Sequence, residues 1–453
     1  MKRRTCLAAL AALSAGAAGT ARAGAGDGPV PPPQRQPLVL RNAWLHPVSG
    51  PPLPGGSLLA EGGRIVALAA AGQALPPTAT APLVLDLAGR RVYPGFVAAN
   101  GTMGLSEVVA VPATVDTTET GPLNPNARAV VALNADSELL PVARTGGVLT
   151  ALSVPQAPSG GGIAGTSALL QTDGWDWEGL ALTPELALHV MLPNLRLNAA
   201  ALGPQVAPLA DDMRRFSQER LRLIDESFSH AAAYAQARAA DPSRPMDLRW
   251  EAMRPVFAGG AARRPVFVHA NDIAQIRWAL GLADRHGLRL VVVGGADAWR
   301  VADLLKARGV PVVLTSVHRL PLRRDEDIDA PFRAAARLHE TGVAFCIARG
   351  APGSGGSATN ERNLPFEAAT AAAHGLPKDE ALKAVTLYPA RILGVEDRLG
   401  SLEPGRLASF IVTDGDPLET STRIERVFIQ GREVSTANRQ SRLAERYKAR
   451  LAP

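Results

Sequence analysis

Two histidines stand in apolar runs where chemistry could be done: His269 closes PVFVHA, and His189 sits inside LALHVMLP. An imidazole at the end of a buried strand can act as general base, as ligand to a single metal ion, or as hydrogen-bond partner to a bound molecule. It can equally be a satisfied structural histidine, and His189, in the middle of its run, reads first that way. A second group of reactive types lies in the polar stretch from Glu107 to Glu138, which also holds Asp116, Glu119, Asn124, Asn126, Arg128 and Asp136. Carboxylates beside an arginine can form a ligand-binding shell. They can also hold an inserted loop together through its own ion pairs, with Asp136 capping a helix that starts near Ser137. In the first case Glu107 or Asp136 would serve His269.

Other motifs fall short. SGGGIAGTSALL approaches a phosphate-binding loop, but Thr166 stands where the lysine that reaches the phosphates belongs, so the run reads as a glycine-rich turn after a strand. Trp175 and Trp177 in DGWDWEGL could stack on sugars or cationic ligands, or pack as a corner. His339-Glu340 lacks the second histidine of a zinc-protease helix, and no G-x-S-x-G occurs. Cys346 reads as core, since nothing near it in sequence would make a thiolate.

The elements that would position these groups are legible. Lys2, Arg3 and Arg4, the apolar run Leu7 to Ala18 and Ala21-Arg22-Ala23 form the three parts of a secretory signal over residues 1–23, so an exported, periplasmic protein is expected. Its removal takes four cations and no acid from the net charge of +6, leaving +6 − 4 = +2, with Cys346 as the single cysteine. A small, dispersed positive balance is not a nucleic-acid footprint, and no later run is apolar enough for a membrane span. Residues 24–37 form a Gly/Pro-rich linker, disordered or extended.

Short strands separated by turn signals follow at 38–91 and again at 396–436, which suggests one β domain built from both ends. Between them, over 92–395, short β-branched runs without alternation read as parallel strands buried on both faces. Amphipathic helices lie between them, such as DIAQIRWALGLADRH with Gly287 as its stop. This is the pattern of a (β/α)8 barrel, an α/β fold, with a doubly wound sheet as the alternative. The stretch from Ala210 to Ala240 reads as an outer helix using Met213, Phe216, Leu221, Ile224 and Phe228 as its inner face. A tail or helix occupies 437–453.

Pro94-Gly95-Phe96-Val97, and EALKAVTLYPARILGVEDRLGSLEPGRLASFIVTDGDP at the other end, resemble the amidohydrolase superfamily, in particular its imidazolonepropionase-like group. The resemblance runs from about Leu38 to Val434 and implies a TIM-like barrel carrying a composite β-sandwich. It also implies a binuclear metal centre with two histidines from strand 1, one each from strands 5 and 6, and an aspartate from strand 8. Carried onto this chain, the strand 1 positions are Asn100 and Thr102, strand 6 offers Gly294 and Gly295, and strand 8 offers Arg349 and Gly350. His269 remains alone. Amide and hydroxyl oxygens are poor substitutes for imidazole toward zinc-like ions, and an arginine at the strand 8 position would repel a cation by about 4 kcal/mol per unit charge at close range.

The expectation is therefore an exported relative of enzymes that hydrolyse non-peptide carbon–nitrogen bonds, itself a pseudoenzyme with a degenerate metal site and no cofactor. It would act as a binding or partner protein. Asn100, Thr102, Glu107, Asp136 and Arg349 are its candidate binding residues and His269 its candidate catalytic one. Its partners would be a small molecule at the barrel mouth, and an intact paralogue or a second copy of itself. The alternative is an active hydrolase of cyclic amides or N-blocked amino acids and peptides, with a rearranged site or a single zinc-like ion around His269.

Overall fold

A computed structural model describes residues 30–196, 209–350 and 357–451; the expected signal at 1–23 lies outside the described residues, as does the start of the linker. From residue 30 the linker is irregular but pinned. Gln34 donates to the Ala60 carbonyl at 2.9 Å and accepts from Gly63 N at 2.8 Å.

The first strands are β1 (Leu38–Leu45), β2 (Leu53–Glu61), β3 (Arg64–Ala69), β4 (Leu83–Asp86) and β5 (Arg91–Pro94). Gly62 and Gly63 join β2 to β3 with φ of 59° and 78°. Two consecutive positive values match the twist of a tight hairpin and exclude most side chains.

The chain then enters the barrel: β6 (Phe96–Gly101), β7 (Val148–Ser153), β8 (Gly162–Thr166), β9 (Ala168–Gln171), β10 (Ala181–Thr183), β11 (Leu188–Met191), β12 (Val266–Ala270), β13 (Leu290–Gly294), β14 (Val312–Thr315) and β15 (Phe345–Ala348). β6 pairs parallel with β7, and β11 through β15 pair parallel in chain order. β15 returns beside β6, where Asn100 Nδ2 donates to the Gly350 carbonyl at 2.7 Å. The fold is the (β/α)8 barrel with a small β-sandwich that the sequence suggests.

The side chains of the strands sort by parity. Val97, Phe267, Val291, Val313 and Cys346 share one cluster inside the barrel. Their neighbours Phe96, Val266, Val292, Val312 and Phe345 pack outward against helix residues such as Ile276, Leu280 and Ala334. The helix Ile273–His286 starts on a reciprocal cap between Asp272 and Gln275 and stops at Gly287 in the left-handed region.

After the barrel, β16 (Phe410–Thr413), β17 (Ile424–Ile429) and β18 (Arg432–Val434) return to the first sheet, in the order β18-β17-β16-β5-β1-β2-β3 with β4 beside β1. A final helix, Arg439–Leu451, follows. No helix among the described residues is long and apolar enough to cross a membrane.

Three expectations are corrected. In SGGGIAGTSALL only Ser159 and Gly160 turn; the rest is mainly β8 and β9, which run antiparallel to β11 and β7 and fill the gap between them. Gly162 and Gly165 are needed because the loop before β7 runs against them, at Pro122 and Ala127. A Cβ on Gly162 would stand 2.1 Å from the Pro122 carbonyl oxygen, at φ 150°. The long helix Ala210–Ala240 buries Ser217, Ile224, Phe228 and Ala231, while Met213 and Phe216 are exposed. Leu139–Thr145 is capped by neither Asp136 nor Glu138; Ser137 Oγ accepts from Leu139 N at 3.2 Å instead.

Gly162→Ala, which adds a single methyl group at this contact, is expected to lower stability by about 3 kcal/mol through clash and backbone strain. A urea unfolding midpoint equal to that of the parent protein would refute that account of the crossing.

Candidate functional site

β11 and β12 lie side by side in parallel register, Met191 opposite His269 and His189 opposite Phe267. His189 and His269 share the inward parity of Met191 and Phe267, so both rings enter the barrel. They meet there, with His189 Nδ1 3.0 Å from His269 Nε2. Neither His189 Nε2 nor His269 Nδ1 has a partner.

A neutral imidazole carries one N–H, so the shared bond fixes the pair's chemistry. Whichever ring donates, one outer nitrogen is left as a buried donor and the other as a buried acceptor. Burial holds both rings neutral. It depresses His269 to about 3 and, with the neighbouring His269 ring adding to the effect, puts His189 well below the usual imidazole range. The ring system is a hydrogen-bonded pair, and His269 bonds to neither Glu107 nor Asp136. Glu107 accepts from Asn134 at 3.3 Å, within its own loop. Asp136 is exposed and lines a separate cavity with Trp175 and Arg442.

The stretch from 106 to 138 is an ordered insertion, bridged to the barrel at Thr118–Gln156, Leu123–Ile163 and Arg128–Thr166 and tied by Arg128 to Glu185 at 3.1 Å. Trp175 is 68% exposed, so the packed-corner reading fails for it. Asp176 caps the short turn behind it. Cys346 is buried inside the barrel, and desolvation pushes its thiol up.

The seam between β6 and β15 holds the remaining candidates. Asn100 is buried, its amide nitrogen spent on Gly350 and its Oδ1 without a partner. Thr102 is buried too. Arg349 Nε stands 3.0 Å from Glu367 Oε1, an ion pair without the alignment of a hydrogen bond. Glu367 also accepts from His318 N at 2.9 Å. The isolated positive charge expected at Arg349 is therefore largely offset, because a fully buried carboxylate comes to meet it. Ser316, at φ 54°, is locked against the same segment by its Oγ donating to the Arg349 carbonyl at 3.0 Å.

Glu361 completes the seam. It is fully buried, neither carboxyl oxygen has a hydrogen-bond partner, and Oε1 lies 2.6 Å from where a Cβ on Gly101 would be. Burial drives its pKa well above the ordinary value, Arg349 pulling it down and Glu367 pushing it further up. Burial also raises Glu367, against the His318 amide, His318 itself and Arg349. Both acids escaped the sequence reading. One signal was present for Glu367: it is the single charged residue in the helix Leu364–Ala373.

Could these residues hold a zinc-like pair? His269 has its Nε2 engaged, Asn100 and Thr102 offer only neutral oxygens, Gly294 and Gly295 offer nothing, and Arg349 is a cation. Among the described residues no three His, Cys, Asp or Glu side chains gather as metal ligands do. The segments 197–208 and 351–356 contain no residue of those four types to add. The donor set does not fit a binuclear centre.

Residues 191–434, more than half of the chain, match the amidohydrolase family. The chain is 27% identical over 392 residues to the imidazolonepropionase of Symbiobacterium thermophilum, covering 80% of this chain and 84% of that protein. It is 24% identical over 442 residues to amidohydrolase tasK of Hapsidospora irregularis; the match takes in 87% of this chain but spans only 43% of that relative's length. In three dimensions it is similar to the crystal structure of an amidohydrolase from Thermotoga maritima MSB8, with a TM-score of 0.74 and 24% identity over 89% of this chain and all of that one.

Glu361 supplies a pH-dependent test. Its folded pKa lies above the unfolded value near 4.5, so the unfolded chain ionises first. The acid therefore costs stability increasingly as pH rises from there toward the folded pKa. Glu361→Gln should match the parent protein at about pH 4 and gain on it steadily toward about pH 8 in urea titrations. A constant offset across that range would mean that Glu361 is ionised in the fold.

Proposed function

This chain belongs to the amidohydrolase family, and from that premise we propose that it is a binding or partner protein in which the family's binuclear metal centre has been given up. The observation that carries this reading is the contact between His189 Nδ1 and His269 Nε2. The one imidazole left at a family ligand position spends its inward nitrogen on a neighbouring ring, and desolvation keeps the pair uncharged. A water-activating centre needs several anionic or imidazole donors converging on open coordination positions. The seam supplies instead an amide bonded to a carbonyl and an arginine paired with a buried glutamate. These groups can hold a ligand or stiffen the barrel.

The role fits an exported protein. Residues 1–23 have the charge, apolar run and small-residue site of a secretory signal, and the periplasm is the compartment we assign. Protein recovered from that compartment should begin at Gly24; an intact Met1 end would remove the assignment.

The competing reading is hydrolysis at a single-ion or rearranged site around His269; its support is that the relatives are named as an amidohydrolase and an imidazolonepropionase. The two readings separate on metal content and turnover. Chain equilibrated with zinc and then desalted is expected to retain well under one ion per chain by elemental analysis, and to leave cyclic amides and N-acyl amino acids unhydrolysed. Stoichiometric zinc, or turnover that disappears in His269→Ala, would overturn the proposal.

A further inference from the structure

We infer that the cleft between the C-terminal ends of β11, β12 and β14 is a binding site for a small carboxylate-bearing molecule. The inference rests on reading the barrel mouth as a place of binding, and it adds the chemistry of the ligand. The C-terminal face is where barrels of this type take their ligands. The cleft has a volume of about 960 Å³, within the range of small-molecule sites.

Its polar groups favour an anion. Arg196 follows β11, and Arg323 and Arg324 follow β14 on the opposite side. Arg323 is a fixed wall, forked onto buried Asp297 and bonded to Glu326. Arg196 and Arg324 are exposed and make no ion pair among the described residues.

Two acids share the lining, Asp272 and Asp325. Asp272 is buried and committed, its Oδ1 accepting from Gln275 N at 3.0 Å at the start of the helix Ile273–His286. Asp325 is exposed and, like Arg196 and Arg324, faces solvent. With Arg323 paired to Asp297 and Glu326 and Asp272 committed at a helix start, the lining leaves two guanidinium groups, Arg196 and Arg324, against one carboxylate, Asp325.

Two amides add specificity. Asn194 Oδ1 is taken by Arg196 N at 2.9 Å. Asn271 Oδ1 lies 2.5 Å from where a Cβ on Gly294 would be, so that oxygen is held against β13. Both residues line the cleft, and both are left with NH2 groups to donate. Planar guanidinium forks and amide donors match the paired oxygens of a carboxylate. Because the two uncommitted arginines follow different strands, Arg196 after β11 and Arg324 after β14, an extended organic acid with a carboxylate for each suits the cleft better than a single phosphate group.

The test is calorimetry on the full chain with three probes: glutarate, its uncharged analogue glutaramide, and inorganic phosphate. Glutarate is expected to bind about tenfold more tightly than either of the others, and Arg324→Ala or Arg196→Ala to weaken it by about tenfold, the usual worth of a charge-assisted contact. Arg308→Ala, on the opposite face of the barrel, should leave binding unchanged. Both cleft variants alter exposed side chains, so their unliganded thermal midpoints should stay at the parent value, which separates lost binding from lost folding. Equal binding of glutarate and glutaramide, stronger binding of phosphate, or indifference to both cleft variants would overturn the inference. Its failure is distinct from that of the functional reading. Zinc-free, inactive protein that ignores glutarate refutes the ligand class alone, whereas zinc-loaded, active protein that binds glutarate refutes the metal-free reading alone.

Discussion

A nitrogen lone pair buried in a barrel can be used once. When His269 Nε2 lies 3.0 Å from His189 Nδ1, that atom is no longer a ligand, and the other nitrogen of the ring is buried with no partner of its own. To recruit His269 for a metal through Nε2, the pair would have to come apart, and His189, fully buried, would then be left with both nitrogens unsatisfied. The Nδ1 of His269 is buried and carries a lone pair only in the tautomer in which Nε2 donates. Desolvated polar atoms cost about 1–3 kcal/mol each. The fold therefore opposes metal binding at this position, in addition to lacking the other donors.

The seam of β6 and β15 shows the same preference for closure. Gly101 and Gly350 have no side chains, and the space is used at once. A Cβ on Gly350 would sit 2.5 Å from the Asn100 carbonyl oxygen, and Glu361 fills the space beside Gly101. Asn100 joins the two strands through a side-chain amide. A neutral amide can do this inside a low-dielectric barrel without a counter-charge, which an imidazole carrying a dication could not. Glu361 stores the opposite tendency. It is a buried acid without hydrogen bonds, the kind of group that a folded protein keeps at a cost in stability.

The architecture was largely readable in advance because it rests on local signals. Apolar β-branched runs with no alternation imply strands covered on both faces, and Asp272, Gln275 and Gly287 mark the two ends of one helix unambiguously. The misreadings came where packing decides. Gly162 to Gly165 looked like part of a turn because glycine permits any backbone; only the neighbouring loop at Pro122 and Ala127 explains why those residues lie in a strand. Met213 and Phe216 have the spacing of an inner face, but Ser217 is the residue that faces inward. At the site, the loss of ligand types could be read residue by residue, while the partners of the survivors could not. Nothing in the order of residues puts His189 against His269, 80 positions apart, or sends Glu367 to Arg349.

That last pairing bears on how a mouth without metal can be built. An unpaired arginine beside a dication loses about 4 kcal/mol per unit charge at close range, about 8 kcal/mol in all, so a working binuclear centre and an arginine-rich rim compete for the same space. Once the cationic centre is absent, arginines become admissible, provided each rigid one is compensated. Arg349 is matched by Glu367, and Arg323 by Asp297 and Glu326. The arginines left uncompensated, Arg196 and Arg324, lie in solvent at the cleft, where desolvation costs them nothing until a ligand arrives. A chain that only needed to fold had no electrostatic reason to gather them there, at the C-terminal ends of strands from opposite sides of the same opening. On the proposed reading, the positive character of the rim and the poor donor set go together, because a mouth without a cationic centre is one suited to anions.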